Sequence, residues 1–142
     1  MVVVGVGVGV VVAVGVGTIL TGDKMKLSAA IRIGSMTTKQ IRGLSTDGKN
    51  GRCALGAAIE ATGASVHPAA WYTQSVHLFS IALKPVINPE TNIWTTVVSA
   101  VWSLNDFNQW PRERIADWVE RIENEVEAEE AKTETKELLE VK

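Results

Sequence analysis

Only a few side chains in this 142-residue chain have types that could do chemistry. Cys53 is the single cysteine, and it would act as a nucleophile only as a thiolate, which needs a base nearby. The available bases, His67 and His77, stand at no recognisable catalytic spacing from it. Catalysis by Asp106 and Glu113 would need both carboxyl groups in one pocket with separated pKa values. A buried cysteine and two helix-capping acids are the simpler interpretation, so no catalytic residue is predicted.

The sequence also lacks a ligand set for a metal ion or another cofactor. Two histidines without carboxylates close to them in sequence are too few for a metal site. Residues 37–52 carry four basic side chains, but no Gly-Lys-Ser or Gly-Lys-Thr of a phosphate-binding loop occurs. These four are Lys39, Arg42, Lys49 and Arg52. We interpret this segment as a solvated glycine-rich turn and predict neither a cofactor nor a metal.

The strongest structural signal lies in residues 104–122, LNDFNQWPRERIADWVERI. Apolar residues recur there at steps of four, three and four, which predicts a helix with one buried face. They are Ile115, Val119, Ile122 and Val126, with Trp118 beside them. Pro111 suits the first helical turn, and Asn105 and Asp106 are typical of a helix end followed by a tight turn. The predicted helix–turn–helix junction comprises Asn105, Asp106, Trp110, Pro111, Arg112, Glu113, Ile115 and Trp118.

The other segments predict a mostly α-helical fold, a small single-domain bundle of four to five helices. Helices are expected over residues 27–36, 53–62, 68–83, 88–104 and 111–126. A glycine-rich turn or hairpin should follow the first of them, because Asp47-Gly48 and Asn50-Gly51 are turn dipeptides. Asn88-Pro89-Glu90 has the residue types of a helix start, which is why the fourth helix is placed there.

The two ends of the chain differ in composition from this domain. Residues 1–24 are a low-complexity segment, and residues 1–20 hold ten valines, five glycines and no charged side chain. A misassigned start upstream of Met25, a membrane or signal segment and an extended low-complexity chain are all open interpretations of it. We assign a helical domain to residues 25–126 and an acidic tail, frayed helix or disordered, to residues 127–142.

Charge and cysteine content limit the partners and the location. Residues 112–142 carry 6 Lys+Arg and 11 Asp+Glu, whereas the whole chain has a net formal charge of −2. No part is basic enough for nucleic acid, which usually demands a dense Lys/Arg face. One cysteine excludes an internal disulfide framework and fits a reducing compartment. We expect a cytoplasmic protein, with membrane association only if residues 1–20 are native and inserted.

Two motifs occur together and indicate a family. They are CALGAA from Cys53, and Leu104-Asn105-Asp106 followed by Trp110, Arg112-Glu113 and Ile115-Ala116-Asp117-Trp118. With the start MKLSAAIRIG at Met25, they resemble a small uncharacterised family of proteins from bacteria and bacteriophages. The resemblance covers about residues 25–123 and implies a fold and a setting, but no activity.

One departure from that family bears on metal binding. Some members carry a Cys-Pro-x-Cys knuckle ahead of a His-Leu-Asn-Asp-x-x-His segment, which together resemble a zinc site. In this chain the two histidine positions are Ser103 and Asn108, and no cysteine pair precedes them. The resemblance therefore implies no zinc here. We expect Trp94, Trp102 and Trp110 to fill the space at a packed helix junction instead.

The preferred function is that of an accessory or interaction protein, bacterial or phage-linked, which acts by binding another macromolecule such as another protein. The first alternative is a nucleic-acid-binding module, since WPRERIADWV resembles the opening helix of a helix-turn-helix. The acidic ENEVEAEE that follows would repel phosphate where a basic recognition helix belongs, so nucleic acid is an unlikely partner. The second alternative is an enzyme that depends on Cys53 or on carboxylates.

Overall fold

The computed structural model describes residues 24–140, and it confirms a small, mostly α-helical domain. Its helices are α1 (Leu27–Ser35), α2 (Ala54–Ala61), α3 (Trp71–Leu78), α4 (Val97–Asp106) and α5 (Arg112–Glu140). Its strands are β1 (Lys39–Gln40), β2 (Gly51–Arg52), β3 (Pro85–Ile87) and β4 (Trp94–Thr96). The interpretations of the Val/Gly segment concern residues outside the described part of the chain.

Helices α1 and α2 pack with their backbones in close approach at the centre of the domain. A Cβ added at Gly34 of α1 would lie 1.9 Å from the carbonyl oxygen of Ala57 in α2. Leu27, Ala30 and Ile31 of α1 are buried on the same side. The small residues of α2, such as Ala57, allow this close approach of α1.

The glycine-rich segment after α1 forms a tight turn, and its two short strands, β1 and β2, pair in parallel. Thr46 and Arg52 form an antiparallel bridge around the turn, while β1 pairs with β2 in parallel. The carboxylate of Asp47 accepts hydrogen bonds from the backbone N–H groups of Lys49 and Gly51, at 2.8 and 2.9 Å. This side chain therefore does inside the turn what a backbone carbonyl would do.

The predicted helix start at residue 88 is wrong. Asn88 accepts hydrogen bonds from the N–H groups of Glu90 and Thr91, as an N-cap would, but the chain then turns back as an antiparallel hairpin of β3 and β4. Helix α4 starts nine residues later, where the Thr96 hydroxyl accepts a hydrogen bond from the N–H of Ser99. An Asn side chain that can cap a helix can also close a turn, so the residue types alone did not distinguish a helix start from a hairpin turn.

Helix α3 is shorter than expected and α5 is longer. The segment predicted as helix over 68–83 is helical only from Trp71 to Leu78, and turns follow it. Helix α5 begins as predicted and buries Ile115, Val119 and Ile122. It then continues to Glu140, through the tail that was expected to be frayed or disordered. Beyond residue 126 this helix is exposed.

Two charged groups of α5 make contacts that the helical pattern did not predict. Asp117 pairs with Arg32 of α1 at 2.7 Å. Glu123 is buried and accepts hydrogen bonds from the backbone N–H and hydroxyl of Ser28. Both contacts join α1 to α5, so the first and last helices of the domain hold each other.

Candidate functional site

The predicted junction forms around the side chain of Asn105, which is completely buried. Its Oδ1 accepts hydrogen bonds from the N–H of Ala54 at 3.2 Å and from Nε2 of Gln40 at 2.8 Å. Its Nδ2 donates to the carbonyl of Ile41 at 2.9 Å and to the carboxylate of Asp106 at 2.8 Å. One amide thus joins α4 to the start of α2 and to the loop beside β1.

Helix α4 ends at Asp106 and a tight turn follows it, as predicted, with Asn105 and Asp106 as the last two helical residues. The left-handed residue is Gln109, with φ 57°. The helix is closed by the N–H of Trp110, which donates to the carbonyl of Leu104 at 3.0 Å.

Trp110 and Arg112 are both anchored at the junction. Trp110 is buried, donates its ring N–H to Glu90 at 2.9 Å and carries the guanidinium of Arg114 at 3.6 Å from its ring centre. Arg112 donates to the carbonyl and hydroxyl of Thr38, at 2.6 and 2.8 Å. Burial lowers the pKa of Arg112 from its usual value. Both side chains are committed to internal contacts.

The acids and the proline of the junction have ordinary local positions. Glu113 is exposed in the first turn of α5, where an acid is favourable to the helix dipole. Pro111 precedes that helix, and its carbonyl accepts from the N–H of Ile115. The carboxylate of Asp106 accepts a hydrogen bond from Nδ2 of Asn105. Asp106 and Glu113 share no hydrogen bond among the described residues, so the geometry gives no sign of a coupled carboxylate pair.

Cys53 is a buried N-cap. Its sulfur accepts the N–H of Gly56 at 3.3 Å, and only 4% of the residue is exposed. Burial raises the pKa of the thiol, which keeps it protonated at neutral pH. Neither His67 nor His77 bonds to it, since both lie exposed in and before α3. The geometry therefore gives this thiol no activating base.

The remaining tryptophans do not fill the junction, which corrects the sequence-based expectation. Trp94 is 68% exposed on the β3–β4 hairpin, and Trp102 is 36% exposed on the outer side of α4. Only Trp110 of the three is buried at the junction. The reason is that α4 starts after Trp94 and turns Trp102 away from its buried stripe of Val97, Val101 and Leu104.

Trp102 belongs instead to a surface cluster that sequence reasoning missed. We call it the aromatic cluster, and it comprises Trp71 and Tyr72 of α3, Trp102 of α4 and Phe107 just after α4. Trp71 and Trp102 stack with ring centres 6.1 Å apart, and Phe107 meets Trp102 edge-on at 5.1 Å. Tyr72 meets Trp71 edge-on at 5.8 Å. Phe107 is 67% exposed and Tyr72 42%, so the cluster is accessible.

The surroundings of the aromatic cluster carry almost no formal charge. Residues 61–83 contain no Lys, Arg, Asp or Glu, and α4 contains only Asp106. This gap in charge was visible in the sequence and could have located the surface. The pairing of Trp71 with Trp102 could not be predicted from the sequence, because 31 positions separate the two residues and no local pattern relates them.

A second accessible apolar site is a groove of about 360 Å³ between the hairpin and α5. Its apolar lining is Pro85, Val86, Ile87, Trp94, Trp118 and Ile122, and its charged rim is Lys84, Arg121 and Glu125. Trp118 and Ile122 form its floor because both are nearly buried. Ile87 and Trp94 form its exposed wall.

The described residues hold no cluster of three or more His, Cys, Asp or Glu side chains placed to bind a metal ion. No helix among residues 24–140 is both long enough and apolar enough to cross a bilayer. Comparison with known proteins found no match among family models, curated proteins or solved structures.

Proposed function

We propose that this chain is a protein-interaction module, a bacterial or phage-linked accessory protein that binds an uncharged apolar segment of another protein through the aromatic cluster. The observation that carries the proposal is the exposed stack of Trp71, Trp102 and Phe107. Exposed aromatic groups are enriched where proteins bind each other, because they bury much apolar area at little entropic cost. The bacterial or phage setting and a cytoplasmic location rest on the motif resemblance and on the single, buried cysteine.

The charge distribution favours an uncharged partner segment. Lys84 is the only Lys or Arg between positions 61 and 111. Arg42, which donates to the carbonyl of Gln109, is a single cation near Phe107, so the aromatic cluster has no row of cations for a phosphate backbone. Stacking platforms for single-stranded nucleic acid combine aromatic rings with a positively charged groove, which is missing here. A protein segment with apolar side chains needs no such charge, and it gains by covering the exposed ring of Phe107.

Two alternative functions receive less support. Helix α5 runs without a break from Arg112 to Glu140, so no turn and second helix follow WPRERIADWV as a helix-turn-helix would require. An enzyme based on Cys53 would need a thiolate in contact with solvent, whereas this thiol is buried and its pKa is raised. Neither alternative uses the aromatic cluster.

The proposal is tested by selecting peptides from a random display library on the wild-type protein. Binding is then measured for the wild type, for a Trp102→Ala, Phe107→Ala double variant, and for Trp94→Ala as the matched control. Trp94 is also an exposed tryptophan, but it lies on the hairpin. Peptides rich in apolar residues should bind the wild type and Trp94→Ala alike, and should lose about tenfold or more in affinity for the double variant.

Three outcomes would refute the proposal. Selection could yield no peptide, the selected peptides could bind the double variant as well as the wild type, or single-stranded DNA could quench the tryptophan fluorescence at micromolar concentration. Circular dichroism of each variant shows whether it is folded. Because Phe107 is two-thirds exposed, Phe107→Ala alone keeps the fold intact and provides a second reading of affinity.

A further inference from the structure

One row of side chains along helix α5, which we call its outer face, is covered by the domain only at its first two positions. Moving along the helix in steps of four and three residues, this face presents Trp118, Ile122, Glu125, Glu129, Lys132, Lys136 and Leu139. This is the heptad spacing of the contact positions in a pair of coiled helices, but four of the exposed positions hold Glu or Lys instead of the usual apolar residues, so ion pairs would have to hold a partner there. Only Trp118 and Ile122 meet the domain, and the other five are exposed.

The charges on this face repel one another along the helix. Glu125 and Glu129 are four residues apart, and so are Lys132 and Lys136, a spacing at which like charges destabilise a helix. Within residues 24–140 none of these four side chains takes part in an ion pair. The face is therefore acidic in its first half and basic in its second half, and although Arg121 precedes Glu125 by four residues and Lys132 follows Glu129 by three, neither of these pairs lies within ion-pair distance.

We propose that a second copy of this chain docks on that face, with the two α5 helices antiparallel. If the crossing point lies between residues 130 and 131, Glu125 faces Lys136 of the other copy and Glu129 faces Lys132. A two-fold axis repeats each contact, which gives four Glu–Lys pairs from two unique ones. A parallel pair would place Glu on Glu and Lys on Lys, so the charge order itself selects the antiparallel direction.

In the same register, the exposed C-terminal end of α5 contacts the other copy. Leu139, 66% exposed, would lie over Ile122 of the other copy, at the groove whose wall is formed by Ile87 and Trp94. Trp94 is 68% exposed and has no cover in the single chain among the described residues. The dimer therefore has a charged centre and an apolar contact at each end, with about 26 Å of contact from residue 122 to residue 139.

This dimer surface is independent of the proposed function. None of the residues that line the groove or form the outer face of α5 belongs to the aromatic cluster. Each copy would keep its own aromatic cluster free, so dimerisation would present two binding surfaces on one particle. Failure of one proposal would leave the other standing.

The first test is sedimentation equilibrium of the full chain. The wild type should be dimeric at micromolar concentration in low salt, with a Kd that rises as salt is added, because exposed charge pairs are screened. Glu125→Lys with Glu129→Lys, and Lys132→Glu with Lys136→Glu, should each weaken the dimer roughly 30-fold, since four attractive pairs become repulsive. An equimolar mixture of these two variants should dimerise again. The four-position swap, which restores every pair, is the matched control.

The second test fixes the direction of the helices. Glu125→Cys alone should not form an intermolecular disulfide, because residues 125 of two antiparallel copies lie about 16 Å apart along the axis. Glu125→Cys mixed with Lys136→Cys should cross-link. Self-cross-linking of Glu125→Cys would instead indicate parallel helices. A monomeric wild type in low salt, salt-insensitive association, or unaltered dimers of the charge-changed variants would each overturn the proposal.

Discussion

Removing the amide of Asn105 should destabilise the domain strongly. In Asn105→Ala the N–H of Ala54 and the carbonyl of Ile41 lose their partner inside the core. A buried backbone group left unsatisfied costs about 1–3 kcal/mol, so the two together cost about 2–6 kcal/mol. Alanine returns about 0.5 kcal/mol through its higher helix propensity. The expected loss in free energy of unfolding is about 2–5 kcal/mol.

The assay is urea unfolding followed by far-UV circular dichroism, with the slope of the transition compared between variants. Asn124→Ala is the matched control, because Asn124 is also helical but exposed on α5. It should leave stability unchanged or slightly raised. If Asn105→Ala lost less than about 1 kcal/mol, water or a shifted backbone would be satisfying the freed groups, and the central role of this amide would be refuted.

The remaining predictions concern a close helix contact, a turn and the cysteine. Gly34→Ala should lower stability by about 1–3 kcal/mol because the new methyl meets the backbone of α2 at 1.9 Å, and an unchanged melting temperature would contradict that close approach. Backbone hydrogen bonds from Lys49 and Gly51 hold the pKa of Asp47 below its usual 3.8, so its charge stabilises the fold above that pH and the contribution is lost as pH falls through the lower folded value. Asp47→Asn should therefore melt lower than the wild type at pH 6 but equally at pH 2, and a difference that persisted in acid would show that charge is not the cause. Cys53 should react with a thiol reagent at pH 8 about a hundredfold more slowly in the folded protein than in urea, whereas equal rates would show an exposed, reactive thiol.

The sequence predicted those parts of the fold that depend on local pattern. The apolar stripe of α5 was read correctly because its period of 3.6 is strict from Ile115 to Ile122. The hairpin at residues 85–96 was missed because Asn88 caps a turn with the same bonds that would cap a helix. Local spacing carries no information about which of the two follows.

Of the two candidate surfaces, one can be predicted from local sequence pattern and the other cannot. The outer face of α5 can be read from spacing alone, since its members all lie on one helix. The aromatic cluster cannot, because Trp71 and Trp102 meet only after α3 and α4 have packed. The buried hydrogen bonds of Asn105 were missed for the same reason: its partners Gln40 and Ala54 are 65 and 51 positions away.

The bond between Ser28 and Glu123 has a consequence for how the chain acquires its structure. The first turn of α1 obtains its acceptor from a residue 95 positions later, instead of from a neighbouring side chain. On the ribosome α1 is among the first described segments to be made, yet its cap arrives only with the middle of α5. A helix of nine residues is too short to persist alone in water. The domain therefore completes itself late in synthesis, and a chain ending before Glu123 would leave α1 without its closing contact.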